Sequence, residues 1–431
     1  MSEHVDLAIV GGGAAGLMAG IAAGRNLRRP GEARRIVILD GARKLGAKIL
    51  VAGGGRCNVT HDEVDESAFA GSSRNAIRKV LRRFDVTRTI EFFRQLGVEL
   101  KCEETGKLFP VSDDARSVLR ALLEAAREAG VELRYPARVE QVKSLAPPAT
   151  PPGGFRLTGD FGELLADRVI LSTGGKSLPK SGSDGHGYSI ARGLGHSITP
   201  LVLPGLVPLV LNESCFLRQL SGLSAPATLE LRSGSGKRLT TFTDSTLCTH
   251  FGLSGPSVLD ISRYYLHAVA DDPGAALYIN WLPGQTAESM DKKLVESAGR
   301  AGRLAVARFL SDHLPQRLAR ALCEHAGLDP QTPVQALSRQ LRRSLAAAVT
   351  ELRLPVTGDR GFVQAEVTAG GVPLKELRLE TMESRLCPRL YICGEICDVD
   401  GRIGGFNFQW AWASGHVAGT AAAEAITAEP G

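Results

Sequence analysis

Runs of apolar positions alternate with helical patterns at both ends of the chain and give way to something different in the middle. Val5–Val10 is a continuous apolar run, as a strand buried on both faces of a parallel sheet requires. Small and apolar residues then continue to Leu27, a helix able to pack closely, before Arg28-Arg29-Pro30-Gly31 breaks it. Arg35–Asp40 reads as a second buried strand. Lys44–Thr60 reads as a long glycine-rich loop. Residues 74–84 read as an amphipathic helix, with Ile77, Val80, Leu81 and Phe84 at i, i+3, i+4, i+7. Ala115–Ala129 is a further helix and Val131–Tyr135 a strand. Pro147–Gly154 is expected to connect a hairpin, and Arg168–Thr173 to be a strand ending at Gly174-Gly175.

Near residue 195 the pattern changes. Residues 200–285 carry prolines, turns and short alternating runs. Ala227–Arg232 and Lys237–Phe242 flank Ser233-Gly234-Ser235-Gly236, a hairpin signal. Residues 286–350 are helical in pattern. After Pro355 strands return, with Arg389–Cys393 ending at Gly394-Glu395, and Phe408–Ile426 closes as a helix of small residues. The expected organisation is an α/β domain built from 1–195 and 356–431, a β-rich insertion at 196–285 and a helical subdomain at 286–355.

Composition narrows the classes. A chain of 431 residues with 43% apolar and 23% charged residues is neither disordered nor a coiled coil. No run reaches the roughly 18 apolar residues of a membrane helix, and Met1–Asp6 does not read as a signal peptide. Eight cysteines without C-x2-C spacing point to a reducing compartment, hence the cytoplasm, and to no metal site. The net charge of +5 is a mild bias. The basic helix at 74–83 reads as a solvated face, so nucleic acid is not the expected partner.

The chemistry is carried by Gly11-x-Gly13-x-x-Gly16 between a strand and a helix. Gly11 permits the turn, Gly13 lets a pyrophosphate approach the backbone, and Gly16 seats the helix against the strand. Asp40, 24 residues after Gly16, ends the second strand where an acid can accept from a ribose. The glycine-rich stretch to Thr60, the strand ends at Thr173-Gly174 and Gly394-Glu395, and a second glycine turn at Gly404–Asn407 favour FAD over NAD. Asn407 is expected to cap that last helix.

With these stretches the chain resembles the BaiN/YhiN-type NAD(P)/FAD-dependent oxidoreductases. The resemblance runs nearly end to end through Ile9–Gly16, Gly46–Leu50, Gly53–Thr60, Thr249–Pro256, Val367–Val372, Thr381–Ser384 and Gly394–Gly415. Asp40 stands where the family more often has Glu, Ala47 for a frequent Arg, His61 for a frequent Asn, Cys397 for Leu and Phe406 for Tyr. The resemblance implies a two-dinucleotide-binding-type flavin fold with an inserted β domain and a small helical part. It implies that Gly11, Gly13, Ala14, Ala15 and Gly16 hold the pyrophosphate and Asp40 the adenosine ribose. Val139 would meet adenine through its backbone. Lys48, Gly53, Gly54, Gly55, Arg56, Cys57 and Asn58 would pass near the flavin, with Thr173 and Gly174 beside it. Gly394 and Glu395, or Asp398, would reach the ribityl chain, and Gly405, Asn407 and Phe408 the pyrimidine side.

A flavin carries hydride chemistry itself, so the protein supplies orientation and a proton. Candidates for that work are Arg56, Cys57 and His250, each of which also has a purely structural reading. The implied activity is NAD(P)H-driven reduction of a small organic substrate such as a conjugated enone, with NAD(P)H bound transiently because no second GxGxxG is present. The alternatives are an oxidase of a small amine-type donor and a flavoprotein acting on RNA. The sequence does not set the oligomeric state.

Overall fold

A computed structural model describes residues 3–27, 34–145, 153–300 and 303–428. The Arg28–Gly31 breaker and most of the Pro147–Gly154 connection lie outside them. The chain forms two compact units, Met1–Pro204 with Glu366–Gly431, and Gly205–Ala365.

The first unit is built on a sheet whose parallel core comprises five strands: β1 (Glu3–Val10), β2 (Ile36–Leu39), β3 (Val131–Arg134), β4 (Gly162–Leu171) and β5 (Leu390–Ile392). Their order across the sheet is β3-β2-β1-β4-β5. Such strands are covered on both faces, which is why β1 and β2 read as unbroken apolar runs. Helix α1 (Ala14–Leu27) follows β1, and helix α2 (Phe406–Ala428) ends the unit. The two helices run parallel and touch backbone to backbone. A Cβ on Gly415 would lie 2.4 Å from the carbonyl of Ala15, and one on Gly419 2.1 Å from that of Ala19. That close approach is why both helices are made of small residues. Val139–Ser144 and Phe155–Gly159 pair antiparallel, and the latter pairs with the first half of β4.

The expected domain limits shift by about ten residues. Residues 196–204 stay with the first unit because His196 bridges Glu376 Oε2 and Ser384 Oγ at 2.8 Å each, and Thr199 N–H donates to Gly371 O at 3.0 Å. The Ser384–His196–Glu376 chain has the connectivity of a hydrolytic triad. Ser384 is only 2% exposed, however, and its Oγ accepts the N–H groups of Leu386 and Cys387, so the chain is a structural pin. At the other limit, Val356–Asp359 belongs to the second unit because it pairs with Leu209–Leu211.

The second unit, taken by itself, holds a seven-stranded sheet among its described residues. Its hairpin, Ser224–Arg232 with Arg238–Thr249, falls where the sequence placed it. The helices between 287 and 350 pack their leucines onto the same apolar core as this sheet, so the stretches expected as an insertion and a separate helical subdomain form one body.

Back in the first unit, helix Arg74–Leu81 is capped by Ser73, which accepts from Ala76 N–H, and buries Ile77, Val80 and Leu81. Phe84 beyond it packs against His416 of α2, with the ring planes tilted by 32° and their centres 4.5 Å apart. Burial, then Arg88 and Arg25, push the His416 imidazole down to about 4 from its usual 6.5. The unfolded chain therefore takes up the proton first, so stability falls as pH drops from 6.5 toward 4. His416→Phe is expected to remove about 3 kcal/mol of that acid-side loss at most, read from urea unfolding at several pH values.

Candidate functional site

The end of β1 turns sharply into α1. Gly11 takes φ +107°, and a Cβ there would lie 2.5 Å from the carbonyl oxygen of Ser172. A Cβ on Gly16 would lie 1.9 Å from Gly11 O, so only glycine lets the helix close on the turn. Gly13 differs: a Cβ would meet nothing within 4 Å. The turn is therefore tight where it packs and open where a ligand would approach, and the first N–H groups of α1 face that opening without intrahelical acceptors. These are the features a dinucleotide pyrophosphate requires.

Asp40 closes β2 beside the turn. Its carboxylate accepts from Gly12 N–H and Ala42 N–H, each at 2.7 Å. Burial raises its pKa above the usual carboxylate value, against those two hydrogen bonds. A carboxylate has about four lone-pair sites, so two remain for hydroxyl donors. The chain after β3 returns to the same place, where Ala137 N–H donates to Asp40 O at 2.7 Å. Val139 follows two residues later, at the start of the strand Val139–Ser144.

The stretch expected as a loop from Lys44 to Thr60 is partly helical. Residues 47–51 coil before Ala52 leaves the helical region, and Gly53, Gly54 and Gly55 all take positive φ. Arg56 donates to Glu103 at 2.6 Å, lies 3.6 Å from Asp113, and stacks over the Phe109 ring at 3.9 Å. Its charge is thus answered by two carboxylates, which favours the structural reading over anion capture. Cys57 is fully buried in a left-handed conformation, and burial pushes its thiol up to about 12. A thiol so held stays protonated at neutral pH and is no nucleophile. Asn58 is buried too. Its amide nitrogen donates to the carbonyls of Thr60 and Leu108 at 2.9 and 3.2 Å, and its oxygen accepts from Gly405 N–H at 3.1 Å.

Gly405 stands at the start of α2 with φ +93°, and a Cβ there would lie 2.6 Å from the Thr60 carbonyl. The helix starts at Phe406, two residues earlier than a cap at Asn407 demands. Asn407 instead accepts from Gly401 N–H at 2.8 Å and donates to Gly401 O at 2.9 Å, fixing the preceding loop. Phe408 stacks on Trp412. Three further residues of α2, missed in the sequence, tie it to its surroundings. Gln409 accepts from Thr60 and Thr89 hydroxyls at 2.7 and 2.9 Å. Trp410 Nε1 donates to Gly394 O at 3.1 Å, and Trp412 Nε1 to Val59 O at 2.9 Å.

Lys48 is the centre of a second cluster. Its Nζ donates to Glu395 Oε2 at 2.6 Å, Ser177 Oγ at 2.8 Å and Ser183 Oγ at 3.1 Å. Glu395 Oε1 in turn accepts from Ser177 Oγ, Thr368 Oγ1 and Thr368 N–H at 2.8, 2.9 and 3.1 Å. Ser177, Ser183 and Thr368 were not singled out in the sequence; the Thr173-Gly174-Gly175 strand end and the Val367–Val372 motif were the signals available. Gly174 takes φ +73°, and Thr173 and Gly174 lead directly into this cluster. Glu395 is committed to protein partners, and Gly394 N–H donates to Ser414 Oγ while its carbonyl receives Trp410. Asp398 accepts from Ser72 Oγ at 3.3 Å.

His250 belongs to the second unit, where it is exposed. Its ring packs edge-on to Phe251 and its carbonyl accepts from Arg218 at 2.9 Å. Cys393 and Cys397 are buried, unlinked thiols, and burial raises the pKa of both. Of the eight cysteines only Cys102 is exposed. A thiol-specific chromogenic reagent is expected to react quickly with one thiol in the native protein and with all eight in denaturant. Fast labelling of Cys57 would contradict its burial.

A family model for the HI0933-like protein Rossmann domain matches residues 5–421. The 3-dehydro-bile acid delta(4,6)-reductase of Clostridium scindens is 35% identical over 418 residues, 97% of this chain and 99% of that one. The ribosomal RNA dihydrouridine synthase of Escherichia coli is 33% identical over 414 residues, 96% of each chain. The fold also resembles the 3-ketosteroid delta1-dehydrogenase of Sterolibacterium denitrificans, with TM-score 0.53 at 11% identity over 98% of this chain and 100% of the other. Among the described residues no helix is long and apolar enough to cross a membrane.

Proposed function

This chain belongs to the HI0933-like Rossmann family and is an FAD-dependent oxidoreductase; from that premise we propose that it reduces a carbon–carbon double bond conjugated to a carbonyl in a small organic substrate, with NAD(P)H as the reductant. The observation that carries the reading is the shared chemistry of two full-length relatives. A delta(4,6)-reductase of a 3-keto bile acid and a dihydrouridine synthase both act on a double bond in conjugation with a carbonyl. A cytoplasmic location fits a chain whose eight cysteines are all unlinked.

In this reading Gly11, Gly13, Ala14, Ala15 and Gly16 cradle the pyrophosphate, Asp40 accepts from the adenosine ribose and Val139 borders adenine. Gly53–Asn58, Gly405, Asn407 and Phe408 border the ring system. Lys48, Thr173, Gly174, Gly394 and Glu395 frame it, with Asp398 beside them. FAD bound there would supply hydride transfer from the reductant to the substrate's double bond, and water would supply the proton that completes the reduction. The chain's own residues do the rest. The N-terminal N–H groups of α2 lend positive potential to the ring's polar edge. Gln409 and Trp412 keep that helix end in place against the loop ending at Thr60, and Trp410 ties it to Gly394. Cys57 closes the loop by packing, without titrating.

Asp40→Ala is expected to weaken FAD retention at least tenfold while leaving the fold intact, read by dialysis against buffer and residual flavin absorbance. Full retention would remove the ribose role. Anaerobic addition of NADH and NADPH to the FAD-loaded protein tests the reductant. Fast bleaching by one of them supports the proposal, whereas no bleaching by either moves the assignment to a substrate-driven oxidase.

A second reading, RNA as the substrate, is favoured by the E. coli relative and by Lys79, Arg82 and Arg83, which form no ion pair among the described residues. Its mark would be RNA binding that weakens steeply with salt.

A further inference from the structure

A cavity of about 480 Å³ opens beside α1, beginning at Met18 and ending past Arg25. None of the glycine-turn residues lines it, and its nearest lining residue on that helix, Met18, lies about 7.5 Å from Gly13 at 1.5 Å per residue. Its size is that of a small-molecule site. Met18 and Ile21 supply aliphatic surface, and Phe84 and Phe92 supply ring faces.

The polar groups on this apolar floor are unevenly charged. Arg25 and Arg88 form no ion pair among the described residues. The Arg25 guanidinium lies over the Phe92 ring at 5.4 Å, and Arg88 donates to the carbonyl of Arg83. The carboxylate that lines the cavity, Glu91, is held by Arg94 at 2.5 Å. Packed at a tilt against Phe84, His416 has no hydrogen-bond partner among the described residues and is kept neutral. Two guanidinium groups and an unprotonated imidazole therefore face a ring-lined space whose one lining carboxylate, Glu91, is already paired with Arg94. Guanidinium groups bind carboxylates through paired charge-assisted hydrogen bonds, and ring faces favour flat partners.

We propose that this cavity is a second small-molecule site, which takes a flat apolar molecule bearing one carboxylate, with Arg25 and Arg88 holding the anion and Phe84, Phe92 and His416 holding the body. The proposal does not rest on the enone-reductase reading. Neither arginine belongs to the proposed cofactor cradle or to the Lys48 cluster.

The test uses the FAD-loaded protein, so the cofactor site is filled, with 2-naphthoate as probe and 2-naphthamide as its neutral counterpart, both followed by calorimetry. Naphthoate is expected to bind one per chain and at least tenfold more tightly than the amide. The Arg25→Gln/Arg88→Gln double variant is expected to lose that tenfold preference while keeping its FAD content and thermal midpoint. Phe92→Leu, a second variant, is expected to weaken acid and amide alike. Equal binding of acid and amide, or an unchanged preference in the double variant, would overturn the proposal. So would failure of naphthoate to bind while a single-stranded oligoribonucleotide binds in an Arg25- and Arg88-dependent way, which would make the cavity part of an RNA contact.

Discussion

Gly13→Val is expected to fold like the parent and yet fail to hold FAD. The side chain would enter space in which a Cβ meets nothing within 4 Å, and the residue needs no positive φ. An open position of this kind costs within about 1 kcal/mol of stability. The same space is where a pyrophosphate must approach the backbone of the turn, so the FAD dissociation constant is expected to rise at least ~100-fold, about 2.7 kcal/mol. Gly16→Val is the contrast. Its Cβ would press to 1.9 Å from Gly11 O, a backbone atom that cannot give way, so that variant loses folding and cofactor together. Urea unfolding and flavin content, measured on both variants, separate the two cases. A Gly13→Val protein that copurifies with a full complement of FAD would mean that the pyrophosphate lies elsewhere.

The second large effect is expected at the Lys48–Glu395 pair. The two side chains are only 25% and 20% exposed, and they share Ser177 as a partner. Lys48→Met leaves a half-buried carboxylate facing an apolar side chain, and Glu395→Gln leaves the ammonium without its anion. Each is expected to cost about 2 kcal/mol, less than a fully buried pair because both retain some water and hydroxyl partners. The double variant is expected to cost about 1 kcal/mol less than the sum, because the second change removes the charge the first left unpaired. FAD release should quicken in both single variants if the cluster holds the Thr173–Ser183 loop and the Glu395 turn as a frame. Additive effects would show that the two groups do not depend on one another.

Much of the first unit was legible because its signals are local. The apolar runs of β1 and β2, the three glycines between β1 and α1, and Asp40 at the end of β2 each follow from residues a few positions apart. The helix at Arg74–Leu81 and the hairpin at Ser224–Thr249 were legible for the same reason. What escaped depends on distant partners. Lys48 meets Glu395 across 347 positions, and nothing near either residue announces the other. The start of α2 was placed two residues late because an Asn before a helical pattern looks like a cap. The true start is set by Gly405, whose backbone fits against Thr60. Arg56 and Cys57 read as catalytic candidates from their place in a glycine-rich motif. Glu103, Asp113 and the surrounding core, all remote in sequence or invisible to it, give them structural work instead. The domain limits moved because His196 and Thr199 find partners beyond residue 370.

The measurement that bears most directly on the account is product analysis after one anaerobic turnover. FAD-loaded protein, reduced by NAD(P)H, is mixed with a 3-keto-4-ene steroid and, separately, with a uridine-containing ribosomal RNA fragment. The account predicts that one substrate is recovered heavier by two hydrogens, with its conjugated double bond gone, in proportion to the NAD(P)H consumed. Recovery of both substrates unchanged, with the reduced protein discharged only by oxygen, would contradict it.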